Sequence, residues 1–104
     1  MFLLAAPRHV GVAQLRFRAA LFSGGRTCYL EELYVVPDRR GEGHGRALMD
    51  AAMRLARERG ATTMEVVTAA SDTAARGLYE AVGFSNRERK DDPATQMLFY
   101  ERPL

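Results

Sequence analysis

Three glycines at alternate positions, flanked by arginines, are the residues in this sequence whose types and spacing point most clearly to a chemical function. The segment reads, in order, Arg40, Gly41, Glu42, Gly43, His44, Gly45 and Arg46. It precedes a stretch with helical spacing, and no Ser, Thr, Asn or Asp stands beside the expected helix start to cap its first backbone N–H groups. Such N–H groups bind phosphate or pyrophosphate, and glycine lets the anion approach the backbone closely. The segment therefore predicts an anion-binding loop, with a tight packing turn as the alternative.

Two familiar nucleotide motifs do not fit this loop. The phosphate loop of nucleotide hydrolases ends in Gly-Lys-Ser/Thr, whereas this segment continues with Gly45, Arg46 and Ala47. The dinucleotide fingerprint requires its third glycine at the position of Arg46. The loop therefore indicates neither nucleotide hydrolysis nor dinucleotide binding.

The elements that must position the loop follow from the periodicity of the apolar residues. The spacing over 48–55 predicts a helix that ends at Gly60, and a second helix is expected from a cap at Ser71 or Asp72 to Gly83. The predicted strands are 2–6, 10–21, 27–36, 63–68, 85–89 and 95–102. This order predicts one α/β (α+β) domain over residues 1–104, with a mixed, mostly antiparallel sheet of about six strands and two helices. The strands on either side of the first helix should be parallel, with a right-handed connection.

The turn between the second and third strands determines which residues face each other. Segment 23–26 contains two adjacent glycines, which predicts a two-residue hairpin turn. Such a turn would place Arg18 opposite Glu31, where an ion pair would stabilise the carboxylate and make it a poorer base. Strand alternation would send Glu31 and Glu32 to opposite faces of the sheet.

Composition argues against several classes of function. Lys and Arg number 15 against 13 Asp and Glu, a net charge of +2, whereas nucleic-acid-binding domains usually carry a concentrated basic surface. One cysteine, Cys28, and two histidines allow neither an internal disulfide nor a Cys/His zinc set. The apolar opening stretch is far shorter than a membrane span and lacks a basic leader. We therefore expect a cytoplasmic protein that binds no metal, nucleic acid or membrane.

A second motif follows the glycine loop. It reads Leu78, Tyr79, Glu80, Ala81, Val82, Gly83 and Phe84. With Val36-Pro37 and the loop, it resembles the GNAT family of N-acetyltransferases, whose acetyl-coenzyme A loop reads Arg/Gln-x-x-Gly-x-Gly/Ala and whose second motif reads Leu/Phe-Tyr-x-x-x-Gly-Phe. Segment 29–35 is most similar to the spermidine/spermine and thialysine acetyltransferase branch. The resemblance covers nearly the whole chain and implies an enzyme that transfers an acetyl group from acetyl-coenzyme A to a primary amine by direct attack.

The same resemblance assigns residues to the acetyl donor. The backbone amides of 40–46 would bind the pyrophosphate, and the backbone of a splayed strand would bind the pantetheine arm and the thioester carbonyl. Asp72 stands where the family usually has asparagine. The aspartate can still cap the helix, but it lacks the side-chain amide, so any cofactor contact made by that amide in the family is in question here. The donor-binding residues implied are Leu33, Tyr34, Val35, Arg40, Gly41, Glu42, Gly43, His44, Gly45, Arg46 and Asp72.

Acetyl transfer to an amine also requires an acid for the thiolate and a base for the ammonium proton. By resemblance the acid is Tyr79, whose phenol can donate a proton, although an ordinary half-buried aromatic is the alternative. Glu31 occupies the position of the carboxylate base, acting directly or through water, and Glu32 and water alone are the alternatives. Cys28 has apolar neighbours on its strand and is expected to be a core thiol.

The acceptor side of the site is the least determined by the sequence. The family normally begins with a strand and two helices that precede the segment starting here, and right-handed connections would place both remaining helices on one sheet face. We expect a homodimer to cover the other face, on the basis of Leu3, Leu4 and the long third strand. Alternatively, Gln14, Arg16 and Arg18 adapt that face to solvent. A non-catalytic acyl-coenzyme A-binding or interaction module is the alternative function.

Overall fold

A six-stranded mixed sheet carries the helices of this protein in a computed structural model that describes residues 2–5, 10–19, 25–86 and 97–104. The elements in chain order are β1 (Phe2–Ala5), β2 (Gly11–Ala19), β3 (Arg26–Val35), α1 (His44–Glu58), β4 (Ala61–Ala69), α2 (Thr73–Ala81), β5 (Ser85–Asn86) and β6 (Met97–Pro103). The sheet order is β1-β2-β3-β4-β6-β5, with β3 and β4 parallel and the other pairs antiparallel. The predicted fold class and the parallel pair around α1 are confirmed.

Glycines and one aspartate set the ends of the helices. Gly43, with φ of 90°, precedes α1 and supplies no side-chain cap, and Gly60, with φ of 83°, follows its last turn. The Asp72 carboxylate accepts a hydrogen bond from the Ala75 N–H at 3.0 Å and caps α2. Gly83 ends α2 in the left-handed region, with φ of 97°. These helix ends agree with the sequence prediction, and the short 3-10 helix Pro37–Arg39 was not predicted.

One apolar core lies between the sheet and both helices. Its buried residues are Ala13, Leu15, Cys28, Leu30, Leu48, Met49, Ala52, Met53, Ala56, Ala61, Met64, Val66, Tyr79, Val82, Phe84, Leu98 and Tyr100. Because α1 and α2 contribute to the same cluster, they pack on the same sheet face, as predicted. Met97 is 48% exposed. Alternation along β6 turns Leu98 and Tyr100 inward and Met97 outward.

The predicted register between β2 and β3 is wrong. Ala19 faces Arg26 and Arg18 faces Thr27, whereas a two-residue turn would have placed Ser23 opposite Arg26. Residues 23 and 24 of the expected turn lie outside the described residues, as do the outer ends of the strands predicted over 2–6, 10–21, 85–89 and 95–102. The register of the described strands alone is enough to exclude the predicted pairing.

A β-bulge at Glu31 corrects a second expectation. Leu15 pairs with Leu30 and Gln14 pairs with Glu32, so Glu31 is an extra residue between them. Directly paired residues share a sheet face, and the Glu31 carboxylate bonds Gln14 at 3.1 Å. Both glutamates therefore lie on the face opposite the helices, which we call the outer face, and not on opposite faces as alternation predicts.

Candidate functional site

A cleft of about 330 Å³ joins the glycine loop, the end of β3 and the first turns of α2. Its lining residues are Leu33, Val35, Arg39, Arg40, Gly41, Gly43, His44, Gly45, Asp72, Ala74, Ala75, Leu78 and Tyr79. The two segments singled out by sequence, 40–46 and 78–84, thus meet at one cavity although they are more than thirty positions apart.

At one end of the cleft, which we call the loop end, the backbone itself is the functional group. Gly41 and Gly43 have φ of 82° and 90°, and a Cβ atom at either residue would meet no atom within 4 Å. Within the described residues, the N–H groups of Gly41, Gly43 and Gly45 make no hydrogen bond. The loop end therefore presents open N–H donors at the start of α1, as an anion site requires.

Charged side chains around the loop end are held by specific partners. The Arg39 Nε donates to Glu42 Oε1 at 2.8 Å, and the His44 Nε2 lies 2.9 Å from the same oxygen. These two contacts hold the pKa of the Glu42 carboxyl below its usual range. The Arg40 Nε donates to the Val35 carbonyl at 2.9 Å, with its guanidinium 5.5 Å from the centre of the exposed Tyr34 ring. Arg39 and Arg40 thus line the cleft in fixed positions and make this end electropositive.

The cleft borders an opening in the sheet. Pairing between β3 and β4 ends at Leu30 and Val66, although both strands continue, to Val35 and Ala69. The β3 backbone over 31–35 therefore has a free edge toward β4, beside the half-buried side chains of Leu33 and Val35. This geometry agrees with the splayed strand implied by the resemblance. It leaves backbone donors and acceptors available to an extended ligand.

Tyr79 also lines the cleft, and we call the part of the cleft around it the tyrosine end. Its side chain is only 6% exposed and its ring contacts those of Phe84 and Tyr100, with centroids 5.8 and 6.1 Å away. In the described structure every buried side-chain nitrogen or oxygen has a partner, whereas the Tyr79 hydroxyl makes no hydrogen bond. The hydroxyl is therefore open to the cleft, where it can donate to a ligand.

The surroundings of Tyr79 keep it protonated. Burial, followed by the nearby Asp72 and Glu32 carboxylates, raises its pKa to about 12. A phenol that keeps its proton at neutral pH can act as a general acid and cannot act as a resting anion. The raised pKa also makes this phenol a weaker acid than a free tyrosine, and its role as the acid stays a prediction.

Glu31, the predicted base, lies outside the lining of the cleft. Its carboxylate forms an ion pair with Arg16 on the outer face and also accepts from Gln14. The expected partner, Arg18, instead bonds Glu65 at 2.7 Å, because the register differs from the predicted one. Glu32 is exposed and makes no hydrogen bond or ion pair within the described residues.

Most of the predicted donor-binding residues do line the cleft. The exceptions are Tyr34, Glu42 and Arg46, of which Arg46 lies 3.7 Å from Asp50 on α1. The prediction missed Ala74, Ala75 and Leu78 as lining residues. The helical spacing of Ala74, Ala75 and Leu78 on one side of α2 was the available signal, since positions three and four apart lie on the same helix face.

The remaining chemistry-bearing residue behaves as a core residue. Cys28 is fully buried, and burial raises the pKa of its thiol to about 12, so it is an unreactive core thiol as predicted. Over the ranges that the structure covers, no three His, Cys, Asp or Glu side chains lie close enough together to hold a metal ion. None of the helices in those ranges has the length and apolar character needed to cross a membrane.

Known proteins are similar to this chain in sequence and in fold. The model of the Acetyltransferase (GNAT) family matches residues 2–84. The Klebsiella aerogenes aminoglycoside N(6')-acetyltransferase type 1 is 37% identical over 97 residues, which are 91% of this chain and 59% of that protein. A crystal structure of nourseothricin acetyltransferase matches this chain with a TM-score of 0.75 and 25% identity. The match covers 95% of this chain and 61% of that one. The crystal structure of the ribosomal-protein-alanine N-acetyltransferase from Brucella melitensis shares the fold, with a TM-score of 0.78 and 24% identity. The match covers 98% of this chain and 68% of that one.

Proposed function

Because the chain belongs to the GNAT family of acetyltransferases, we propose that it transfers an acetyl group from acetyl-coenzyme A to a primary amine by direct attack. The observation that carries this proposal is the cleft, which joins an uncapped glycine loop to the open hydroxyl of Tyr79. The chain spans 59% of the length of the aminoglycoside acetyltransferase that it matches.

The residues of the cleft fit the acetyl donor. The open N–H groups and arginines of the loop end suit a pyrophosphate. The free edge of β3 suits the amide-containing pantetheine arm, which can pair with backbone as a strand would. In this arrangement the thioester lies near Tyr79. The Arg40 guanidinium is not available as a freely moving cation, since it already bonds the Val35 carbonyl.

The proposed reaction balances without a metal or redox partner. The neutral amine nitrogen attacks the thioester carbonyl carbon, a C–N bond forms, and the C–S bond breaks. The thiolate that leaves takes the proton of the Tyr79 hydroxyl, and the amine releases its proton to a base. Glu31 is the base that the family resemblance implies, and because its carboxylate lies outside the cleft lining, we propose that it acts through water.

The names of the relatives support an amine acceptor. One is an aminoglycoside N-acetyltransferase and another is a nourseothricin acetyltransferase. The resemblance of segment 29–35 to the polyamine branch is a second, narrower proposal for the acceptor, and it rests on few residues.

The proposal is tested by titrating acetyl-coenzyme A into the purified chain by calorimetry and then adding a panel of amines while free thiol is measured. Binding with amine-dependent thiol release is the expected result. Binding without release from any amine would favour the acyl-coenzyme A-binding module. Absence of binding would overturn the anion-binding interpretation of the loop.

We also propose that the chain forms a homodimer in the cytoplasm. The outer face bears ion pairs and no helix within the described residues, so a second copy of the chain has a sheet face to cover. Light scattering at working concentrations should give twice the 11.6 kDa mass of one chain. A stable monomer would contradict this part.

A further inference from the structure

We propose that Tyr100 is a positioning residue for Tyr79: its hydroxyl, held by two side chains of α2, fixes the place of that helix and of the phenol that lines the cleft. This inference rests on the proposed acetyl transfer and deepens it by assigning a residue that acts on the reaction through Tyr79. Tyr100 lies on β6, outside both sequence motifs, and does not line the cleft itself.

Tyr100 packs directly against Tyr79. Its side chain is fully buried, and the centres of the two rings lie 6.1 Å apart with 53° between their planes. Tilted aromatic rings at this distance attract each other. The position of the Tyr100 ring therefore restrains the position of the Tyr79 ring.

The Tyr100 hydroxyl is hydrogen-bonded to α2 on two sides. It donates to Glu80 Oε2 at 2.6 Å and accepts from the Arg76 Nε at 3.3 Å. Arg76 and Glu80 lie about one helical turn apart, and Tyr79 lies between them in the sequence. Because hydrogen bonds weaken steeply when they are bent, these two contacts restrict rotation and sliding of α2 over the sheet, which ring packing alone would permit.

Arg76 extends the same network to the opening in the sheet. Its Nη1 donates to the Ala70 carbonyl at 3.0 Å, and Ala70 directly follows β4. The strand β4 pairs with β3 only as far as Val66, so the last residues of β4 border the opening. One guanidinium thus connects Tyr100 to the end of β4. The network holds α2, and Tyr79 with it, in place relative to the opening that the pantetheine arm would occupy.

The polar atom of Tyr100 is not needed to fill space. Phenylalanine would occupy nearly the same volume without placing a hydroxyl in the core, where a hydroxyl is costly unless it is hydrogen-bonded. Glu80 is exposed and Arg76 is half-buried, so water can reach both side chains when the hydroxyl is absent. Tyr100→Phe should therefore fold, and what it loses is the directional restraint on α2.

The test is a double-mutant cycle between Tyr100 and Tyr79, measured as thiol release with the most active amine of the panel. Tyr100→Phe should lower kcat about tenfold, because catalysis falls steeply when a reacting group is displaced, and should leave the KM for acetyl-coenzyme A within about twofold. In the Tyr79→Phe background, which has no hydroxyl to position, the same substitution should change kcat less than about twofold. Arg76→Met removes both bonds of the guanidinium and should repeat this pattern.

Arg102→Met is the matched control. The Arg102 Nε donates to the Val82 carbonyl at 2.7 Å, so this variant also removes a bond between β6 and α2, at the C-terminal end of the helix. The bond involves neither of the two tyrosines, and its loss should leave kcat within about twofold of the wild-type value. Urea unfolding of every variant verifies that it is folded under the assay conditions.

Each other outcome overturns the inference. If Tyr100→Phe leaves kcat unchanged, or lowers it equally with and without the Tyr79 hydroxyl, Tyr100 does not act through Tyr79. An equal loss of kcat in Arg102→Met would mean that any loosening of α2 has the same effect. A rise in the KM for acetyl-coenzyme A as large as the fall in kcat would place the role of Tyr100 in donor binding.

Two further outcomes separate this inference from the proposed function. If Tyr79→Phe itself retains the wild-type kcat while amines release thiol, the inference fails and the proposed acetyl transfer stands. If no amine releases thiol from the wild-type chain, both fail.

Discussion

The two ends of the cleft are built from different parts of the polypeptide. At the loop end the donors are backbone N–H groups, positioned by glycines with φ of 82° and 90°. At the tyrosine end the functional groups are side chains, positioned by the packing of Tyr79 against Phe84 and Tyr100. Under the proposed function, backbone conformation would control donor binding, whereas side-chain charge and protonation would control the chemistry. Perturbations of conformation and of charge should therefore separate the two functions.

The largest expected effect comes from removing the hydroxyl at the tyrosine end. Tyr79→Phe keeps the ring that packs against Phe84 and Tyr100, and the hydroxyl it removes has no partner within the described chain. We expect kcat to fall by about 100-fold, the usual contribution of a positioned acid, with acetyl-coenzyme A affinity within about twofold. Thiol release and calorimetry measure the two quantities. Equal loss of turnover and affinity would show that the two ends are not separable.

The next effect in size is expected at the loop end. Gly43→Ala places a side chain at a left-handed position, which costs about 1–2 kcal/mol, and should weaken acetyl-coenzyme A binding about tenfold as the loop shifts to relieve strain. Gly77→Ala is the control, because it lies inside α2, has open space around its Cβ position and lines no part of the cleft. Calorimetric titration of both variants checks this. Unchanged affinity in Gly43→Ala would mean that the loop conformation does not matter for binding.

A smaller effect is expected from the helix cap that borders the tyrosine end. Asp72→Ala removes the hydrogen bond to the Ala75 N–H and should lower the free energy of unfolding by about 1 kcal/mol. Asp72→Asn should retain most of that stability, since asparagine caps helices about as well. Urea unfolding of the two variants provides the measurement. If Asp72→Asn lowers the free energy of unfolding as much as Asp72→Ala does, the stabilisation comes from the charge of Asp72 and not from its hydrogen bond to the Ala75 N–H.

The last effect appears only at alkaline pH. Tyr79 keeps its proton up to a pKa of about 12 in the folded chain, whereas an unfolded tyrosine ionises near 10. The unfolded state therefore binds fewer protons between these values, and the free energy of unfolding should fall as pH rises from about 10 to 12. Tyr79→Phe should show a shallower decline. Parallel curves for the two proteins in urea unfolding at pH 9, 10 and 11 would contradict the raised pKa.

The loop end was predictable from sequence to a large extent. Glycines at alternate positions and the absence of a capping residue before α1 are local features of the sequence. In the structure Gly41 and Gly43 have positive φ, and no side chain caps α1. The same holds for the cap at Asp72 and the left-handed stop at Gly83. Local hydrogen bonding and φ preferences determine these features, so neighbouring residues carry the information.

The tyrosine end was less predictable, because it depends on register. The expected partner of Glu31 was Arg18, and the structure gives Arg16 and Gln14, since the connection after β2 is not a two-residue turn and β3 contains a bulge. A bulge is one extra residue without a distinctive residue type, so strict alternation counted along the strand assigns Glu31 and Glu32 to opposite faces, whereas the structure places both on the outer face. The influence of Glu32 on Tyr79 joins two elements far apart in the chain, and no local pattern reports it.

The bulge at Glu31 also makes the length of this strand important to the protein's evolution. Leu30 packs inward before the bulge and Leu33 packs inward after it, which strict alternation of residues would not allow. Deleting the bulge residue Glu31 would leave a regularly alternating strand with Leu30 and Leu33 still inward and Glu32 still outward, whereas one residue inserted between Glu32 and Leu33 would turn Leu33 and Val35 toward water. Loss of the bulge residue is therefore compatible with the same core, and a residue added after it is not.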